Sequence, residues 1–214
     1  HKPVLRFAAV RLLNRVATNH PAAVTACNLD LETLIADPNR SIATLAVSTL
    51  LKTGSEFSME RLLRTVQSFL HDINDEFKTI VVDSMRIISI KFPQKYPALL
   101  TFLSNALHDP DGGAEFKQAI VETIVSILDT NPAAKACCLE KLSDYIEDCD
   151  YNALTQRVLY LLGQHGPETE HPEKLIRFIY NRVGLEVPSV RAVAVSTLAK
   201  FGAIVPSLRP KITA

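Results

Sequence analysis

The chain has 214 residues, with 23 Lys and Arg against 23 Asp and Glu, so its formal net charge is zero. Its hydrophobic content of 47% is in the globular range and argues against intrinsic disorder. The neutral balance argues against a nucleic-acid binder, and no apolar run approaches the roughly 18–20 residues that span a bilayer.

A repeat of about 37 residues runs along the chain. Residues 41–54 and 189–202 match at a separation of 148 residues, four such periods, and share the motif Ala-Val-Ser-Thr-Leu. Residues 3–17 match residues 188–202 five periods away. The repeat predicts helices that start near residues 4, 41, 77, 114, 151 and 189.

A second amphipathic stretch lies between each pair of these starts. The stretches are 29–36, 58–71, 96–108, 133–147, 172–185 and a start at 206. Two helices per period, without strand-like alternation, predict an all-α superhelix of the HEAT or armadillo type, an α-solenoid. The period does not fit the roughly 34 residues of a tetratricopeptide repeat.

We expect residues 1–214 to form a single solenoid segment of about six helical hairpins. The chain starts with His1 rather than Met, and no polar capping repeat is visible at either end. It is therefore interpreted as an interior fragment of a longer trunk, whose apolar ends favour self-association. Four cysteines without a C-x-x-C motif are typical of free thiols in a reducing, cytoplasmic compartment.

Local signals place the helix ends. Asp75 and Ser58 are predicted N-caps, and glycines are predicted to end helices in the left-handed conformation. The five glycines in question are Gly54, Gly112, Gly163, Gly166 and Gly202.

The helix over 173–186 separates an apolar face from a polar one. Its inward stripe comprises Leu175, Ile176, Ile179 and Val183. Its outward face is defined by Lys174, Arg177 and Asn181, with Tyr180 at the edge. These four outward residues are the candidate partner-binding site, and a solvated helix face is the alternative interpretation.

No motif indicates catalysis, a cofactor or a metal. The six histidines form no H-E-x-x-H pattern, and no G-K-[ST] or G-x-S-x-G motif is present. The segment 109–113, Asp-Pro-Asp-Gly-Gly, resembles the start of a calcium loop but lacks its later ligands, so we expect a plain turn. The sequence predicts a non-enzymatic protein without cofactors.

Charge is unevenly distributed beneath the overall neutrality. Residues 105–150 carry a net charge of −7, and residues 170–214 carry +4. Two interpretations remain open: solvated faces that pair between repeats, or polarised docking surfaces for different partners.

Several blocks resemble the gamma subunits of coatomer, which are related to the large chains of clathrin adaptors. The blocks are 20–32, 39–54, 145–150, 161–164, 176–183, 190–192 and 198–202, among them Tyr-Ile-Glu-Asp-Cys-Asp and Ile-Arg-Phe-Ile-Tyr-Asn-Arg-Val. They are spread over essentially the whole chain in the family's order.

The resemblance implies part of the N-terminal adaptin-like trunk of a COPI vesicle coat. In that family the trunk pairs with the zeta subunit and with the beta and delta subunits, and it helps to receive a GTP-bound Arf-family GTPase. The coat carries Golgi-to-ER and intra-Golgi traffic on the Golgi membrane, which this segment would contact only indirectly. No nucleic acid is expected as a partner.

Other HEAT-type proteins remain as alternatives. These are a clathrin adaptor large chain, a phosphatase scaffold, a nuclear-transport receptor, or a HEAT-like enzyme acting on nucleic acid. Transport receptors usually carry Trp/Asn ladders or acidic inner faces, whereas this chain has no Trp and no net charge.

Overall fold

A computed structural model describes residues 2–213, without the side chain of Leu185. All the regular elements in this part of the chain are helical, and short 3₁₀ turns extend or link several of them. The α-helices are α1 Pro3–Asn19, α2 Pro21–Val24, α3 Asn28–Thr33, α4 Arg40–Thr53, α5 Glu56–Phe69, α6 Asp75–Lys91, α7 Tyr96–Leu107, α8 Ala114–Thr130, α9 Lys135–Glu147, α10 Asn152–His165, α11 Pro172–Leu185, α12 Pro188–Ile204 and α13 Arg209–Thr213.

The helices form two compact units, residues 1–130 and 131–214, of which residue 1 and residue 214 lie outside the described part. In the first unit, α4 packs against both α1 and α6, α6 packs against α8, and α5 packs against α7. Like helices of successive hairpins therefore stack on one another, which is how a solenoid buries apolar faces that a single hairpin would expose.

The second unit repeats this arrangement. Helix α12 packs against α10 and α11, and α9 packs against α11. Its core includes Leu139, Leu159, Ile179 and Phe201, each fully buried. The predicted inward stripe of α11 is confirmed, because Leu175, Ile176 and Ile179 are buried and Val183 is half-buried.

The repeat predicted the fold class and the helix starts well. The observed first helices begin at residues 3, 40, 75, 114, 152 and 188, within two residues of the predicted starts. The predicted helix over 172–185 coincides with α11. The prediction of a single segment of about six repeats remains a prediction.

The predicted caps were wrong. Asn74, not Asp75, caps α6, since its side chain accepts a hydrogen bond from the Phe77 N–H at 3.2 Å. Asp75 instead accepts one from the Gly113 N–H at 3.0 Å. Helix α5 begins at Glu56, so Ser58 lies inside its first turn.

The predicted left-handed glycines were also wrong. No glycine among the described residues has a positive φ. Gly163 and Gly202 lie within α10 and α12, and Gly54 is extended, with φ −73° and ψ 175°. Gly163 serves close packing instead, because a Cβ there would lie 3.2 Å from the Thr197 methyl group.

Candidate functional site

The predicted partner-binding residues all lie on α11 and are all exposed. Lys174 and Arg177 line a groove of about 470 Å³ between α9 and α11. Tyr180 and Asn181 line a different groove of about 820 Å³, formed by α11, α12 and α13. The structure therefore divides the four residues between two surfaces.

The α9–α11 groove has charged side chains of opposite sign. Glu140 and Asp144 come from α9, and Lys174 and Arg177 come from α11. These residues belong to the acidic and basic segments found in the sequence, which therefore meet within the second unit. Such an arrangement partly neutralises the two helices while leaving four exposed or half-exposed polar groups for a partner.

Nearby polar contacts fix the ends of α11. At its start, His171 lies 3.3 Å from the Glu173 carboxylate. A hydrogen bond from the main-chain N–H of Glu173 itself lowers the pKa of that carboxyl group, and His171 lowers it further. Further along, Asn181 Nδ2 donates to Glu147 Oε1 at 3.2 Å, so Asn181 already ties α11 to α9.

Arg182 makes three further polar contacts near the end of α11. Its guanidinium donates to the main-chain oxygens of Glu147 at 3.1 Å and Cys149 at 2.9 Å, and it pairs with Glu186. These carbonyls lie at the C-terminal end of α9 and two residues beyond it, where no intrahelical donors remain. Arg182 thereby links α11 to the end of α9.

The second groove is largely apolar. Val195, Leu198, Ala199 and Ala203 of α12 line it together with Ile212 of α13. Tyr180 stands at its edge with 48% of its surface exposed. The groove therefore offers an apolar surface beside the hydroxyl of Tyr180 and the amide of Asn181.

The 109–113 segment forms a turn, as expected, and it holds a buried ion pair that the sequence did not reveal. Lys78 Nζ lies 3.3 Å from Asp109 Oδ2, and the side chains are only 3% and 2% exposed. Burial raises the pKa of Asp109, but the Asp111 N–H and Lys78 lower it more, so the pKa lies below its usual value.

Asp109 also belongs to a group of side chains able to ligate a metal. The ligand atoms of His71, Asp109 and Asp111 lie within 4.8 Å of one another. However, the Lys78 ammonium already compensates the Asp109 charge and would repel a cation. The geometry thus fits a structural joint between α6 and the turn better than a metal centre.

A third polar site was missed from the sequence, a network between α1 and α4. Lys52, 3% exposed, donates to Asn14 Oδ1 at 3.1 Å, to Asn14 O at 3.4 Å and to Thr18 Oγ1 at 3.1 Å. The Asn14 amide donates in turn to Thr49 Oγ1 at 3.1 Å. All acceptors of Lys52 are neutral, and burial lowers its pKa to about 8.

Comparison with known proteins decides the family. The adaptin N terminal region family matches residues 1–213. The chain belongs to the adaptin N terminal region family. The helical fold agrees, and no helix among residues 2–213 is both long and apolar enough to cross a membrane.

Named relatives confirm the resemblance to coatomer gamma subunits. The chain is 58% identical over 212 residues to Coatomer subunit gamma of Arabidopsis thaliana and 57% identical over 211 residues to Coatomer subunit gamma-2 of Homo sapiens. Each alignment covers 99% of this chain and 24% of the relative, so the chain spans about a quarter of their length.

A solved structure supports the fold alone. Drosophila melanogaster Mini spindles TOG3 superposes with a TM-score of 0.56 at 16% sequence identity. The match covers 86% of this chain and 90% of that chain. The predicted all-α superhelical class is thereby confirmed.

Proposed function

We propose that this chain is a scaffold segment of the coatomer (COPI) vesicle coat, acting in Golgi-to-ER and intra-Golgi transport. The observation that carries the proposal is the identity of 55–58% to coatomer gamma subunits over 99% of the chain. The family match alone would also fit a clathrin adaptor large chain. The coatomer relatives favour the vesicle coat over that alternative.

The helical stack supports a scaffold that binds by surface. Each hairpin contacts mainly its neighbours, so a solenoid presents long surfaces that several subunits can share. The proposed partners are the zeta subunit, the beta and delta subunits, and a GTP-bound Arf-family GTPase. Attachment to Golgi membranes would be indirect, through these partners, from the cytoplasmic side, and the segment needs neither catalysis nor a cofactor.

Lys174 and Arg177 are the proposed partner contacts in the α9–α11 groove. Both are exposed, and Arg177 lies over the Phe178 ring at 5.7 Å, which restricts its guanidinium. Tyr180 and Asn181 would extend the contact from the adjoining groove. A charged group held in place costs less entropy to bind than a mobile one.

A chimera tests the proposal. This chain would replace the matching 211 residues of the human gamma-2 relative, and zeta and the other coat subunits would be measured after affinity purification. We expect near-native recovery of the complex and retention on GTP-loaded Arf. A chimera that resists proteolysis like the parent subunit but recovers no coat subunit would contradict the proposal.

Charge reversal then tests the groove. Lys174→Glu combined with Arg177→Glu should lower recovery of at least one coat subunit about fivefold or more, because both charges are lost where a partner docks. The matched control reverses Arg61 and Arg64, two exposed arginines one turn apart on α5. Equal recovery for both double variants would remove these residues from the site while leaving the coat assignment intact.

A further inference from the structure

A basic groove crosses the first unit. It measures about 390 Å³ and is lined by residues of α1, α4 and α6. Its charged members are Arg11, Arg15, Lys52, Asp83 and Arg86. Four cations against one carboxylate leave a local excess of positive charge in a chain whose net charge is zero.

The arginines of the basic groove have no ion-pair partner among the described residues. Arg11 and Arg15 lie one turn apart on α1, and Arg86 lies on α6. All three are exposed. Elsewhere in the same unit, Arg6 and Arg61 pair with carboxylates at 2.6 and 3.0 Å. Unpaired cations gathered on one groove indicate an anionic ligand.

Lys52 adds a buried cation to the basic groove. Its ammonium is fixed by the Asn14 and Thr18 oxygens, which satisfy its hydrogen bonds but do not neutralise its charge. Asp83, which lines the same groove, offsets part of that charge. In a desolvated setting the remaining charge interacts more strongly with an approaching anion than it would in water. Its lowered pKa of about 8 still leaves it mostly protonated at neutral pH.

The mixed lining of the basic groove favours a peptide over a compact ion. Phe7 of α1 and Phe77 of α6 meet edge to face at 6.4 Å, one turn before Arg11 and Ile80 respectively, so the two helices touch there. The cations come from three helices, with Arg11 and Arg15 on α1, Lys52 on α4 and Arg86 on α6. Leu45, Ile80 and Ile87 add apolar lining between them.

We propose that the basic groove binds an acidic peptide segment of a partner protein, with its carboxylates on Arg11, Arg15 and Arg86 and its apolar side chains against Leu45, Ile80 and Ile87. Guanidinium groups hold carboxylates in paired hydrogen bonds. Asp83 repels a densely charged polyphosphate, whereas carboxylates spaced along a peptide avoid it. Helix α4 lies at the bottom of the groove, and Lys52 on it is only 3% exposed. A flat bilayer would therefore not reach that charge.

Fluorescence anisotropy tests the proposal on the 214-residue chain itself. The probe is a labelled ten-residue peptide that alternates Glu with Leu, and the control probe carries Gln for Glu. We expect saturable binding of the acidic peptide that weakens as salt rises, and at least about tenfold weaker binding of the Gln peptide. The readout does not depend on coat assembly, so it can fail while the proposed function stands.

Matched variants locate the binding. Arg11→Gln combined with Arg15→Gln should weaken binding of the acidic peptide about tenfold or more. Arg86→Gln, on the α6 side of the groove, should weaken that binding severalfold. The control pair Arg61→Gln and Arg64→Gln removes the same charge from α5 and should stay within about twofold of the parent. Exposed arginines are not needed for folding, so the thermal midpoint should be unchanged.

Three results would overturn the proposal. These are the absence of saturable binding, equal binding of the Gln peptide, and equal weakening by the α5 control pair. Phosphatidylinositol phosphate vesicles provide a rival ligand in the same assay. The parent chain could bind these vesicles but not the peptide, and the Arg11→Gln, Arg15→Gln variant could lose that vesicle binding. This outcome would assign the groove to a lipid headgroup instead.

Discussion

Helices α4 and α12 carry the same repeat, yet they are buried to very different degrees. Every residue of α4 from Ile42 to Thr53 is buried, whereas α12 buries five residues. Val47 is 0% exposed, but its counterpart Val195 is 51% exposed. Helix α4 packs against both α1 and α6, whereas α12 packs mainly against α10 and α11.

Their lysines differ in the same way. Lys52 is enclosed by Asn14 and Thr18, whereas the corresponding Lys200 is half-buried and lies over the Tyr160 ring at 5.0 Å. A repeat therefore specifies a helix and its inward face, whereas the neighbouring helices determine whether its other faces are buried. Matched substitutions in the two units separate the effect of the repeat from the effect of the neighbouring helices.

The largest contrast is expected at the shared valine. Val47→Asp should destabilise the chain by about 4 kcal/mol, because it leaves an unpaired charge in the core. Val195→Asp should cost less than about 1 kcal/mol, because its side chain reaches solvent. Urea unfolding followed by circular dichroism measures both values. Similar losses would show that α12 is as enclosed as α4.

Two ion pairs, one from each unit, differ in their burial. Lys78 and Asp109 are buried in the first unit, whereas Lys135 and Glu168 in the second unit are 31% and 66% exposed and lie 2.8 Å apart. Asp109→Ala should lower the free energy of unfolding by about 3 kcal/mol, since it removes the buried partner of Lys78 and leaves that ammonium only the more exposed Asp75 carboxylate at 3.7 Å. Glu168→Ala should have no measurable effect. Comparable effects in urea titrations would argue against burial as the cause.

Buried Lys52 should make the stability of the chain depend on pH above pH 8. Between pH 8 and 10.5, folded Lys52 has lost a proton that the unfolded chain still binds, so unfolding takes up a proton and stability rises with pH. The stability difference between the parent and Lys52→Met should shift by about 2 kcal/mol in favour of the parent from pH 7 to pH 10. A flat difference for Lys52→Met would mean that Lys52 is not desolvated.

A smaller effect is expected where α10 and α12 approach closely. Alanine at Gly163 must displace Thr197, whose hydroxyl is fixed by a hydrogen bond to Leu159 O at 3.0 Å. Gly163→Ala should therefore destabilise by about 1 kcal/mol despite its better helix propensity. Gly184→Ala, with no neighbour within 4 Å, should stabilise by about 0.5–1 kcal/mol. Thermal unfolding measures the stability of both variants. A stabilised Gly163→Ala variant would show that the Thr197 side chain can move away without cost.

Sequence reasoning succeeded where periodicity carries the information. The repeat located the first helices to within two residues, and the amphipathic pattern located α11 at its observed bounds. It failed where tertiary contacts decide. Asp75 was predicted to cap a helix, but its side chain accepts a hydrogen bond from Gly113. Gly163 was predicted to end a helix, but it lies where two helices pack closely. Lys52 was visible as a match to Lys200, but only the α1–α4 contact shows that it is buried.

The site residues show the same limit. Helical spacing correctly placed Lys174, Arg177 and Asn181 on an exposed face. The division of that face between two grooves depends on α9, α12 and α13, which lie elsewhere in the chain. Arg182, the residue that joins α11 to α9, gave no signal because its partners are main-chain oxygens.

Crosslinking mass spectrometry on the assembled coat containing the gamma-2 chimera tests the central claim most directly. We expect crosslinks from Lys174 to another coat subunit, whereas Lys200 should crosslink only within the subunit. An assembled coat in which Lys174 reacts but crosslinks to no other subunit would contradict the assignment of α11 as a partner-binding surface.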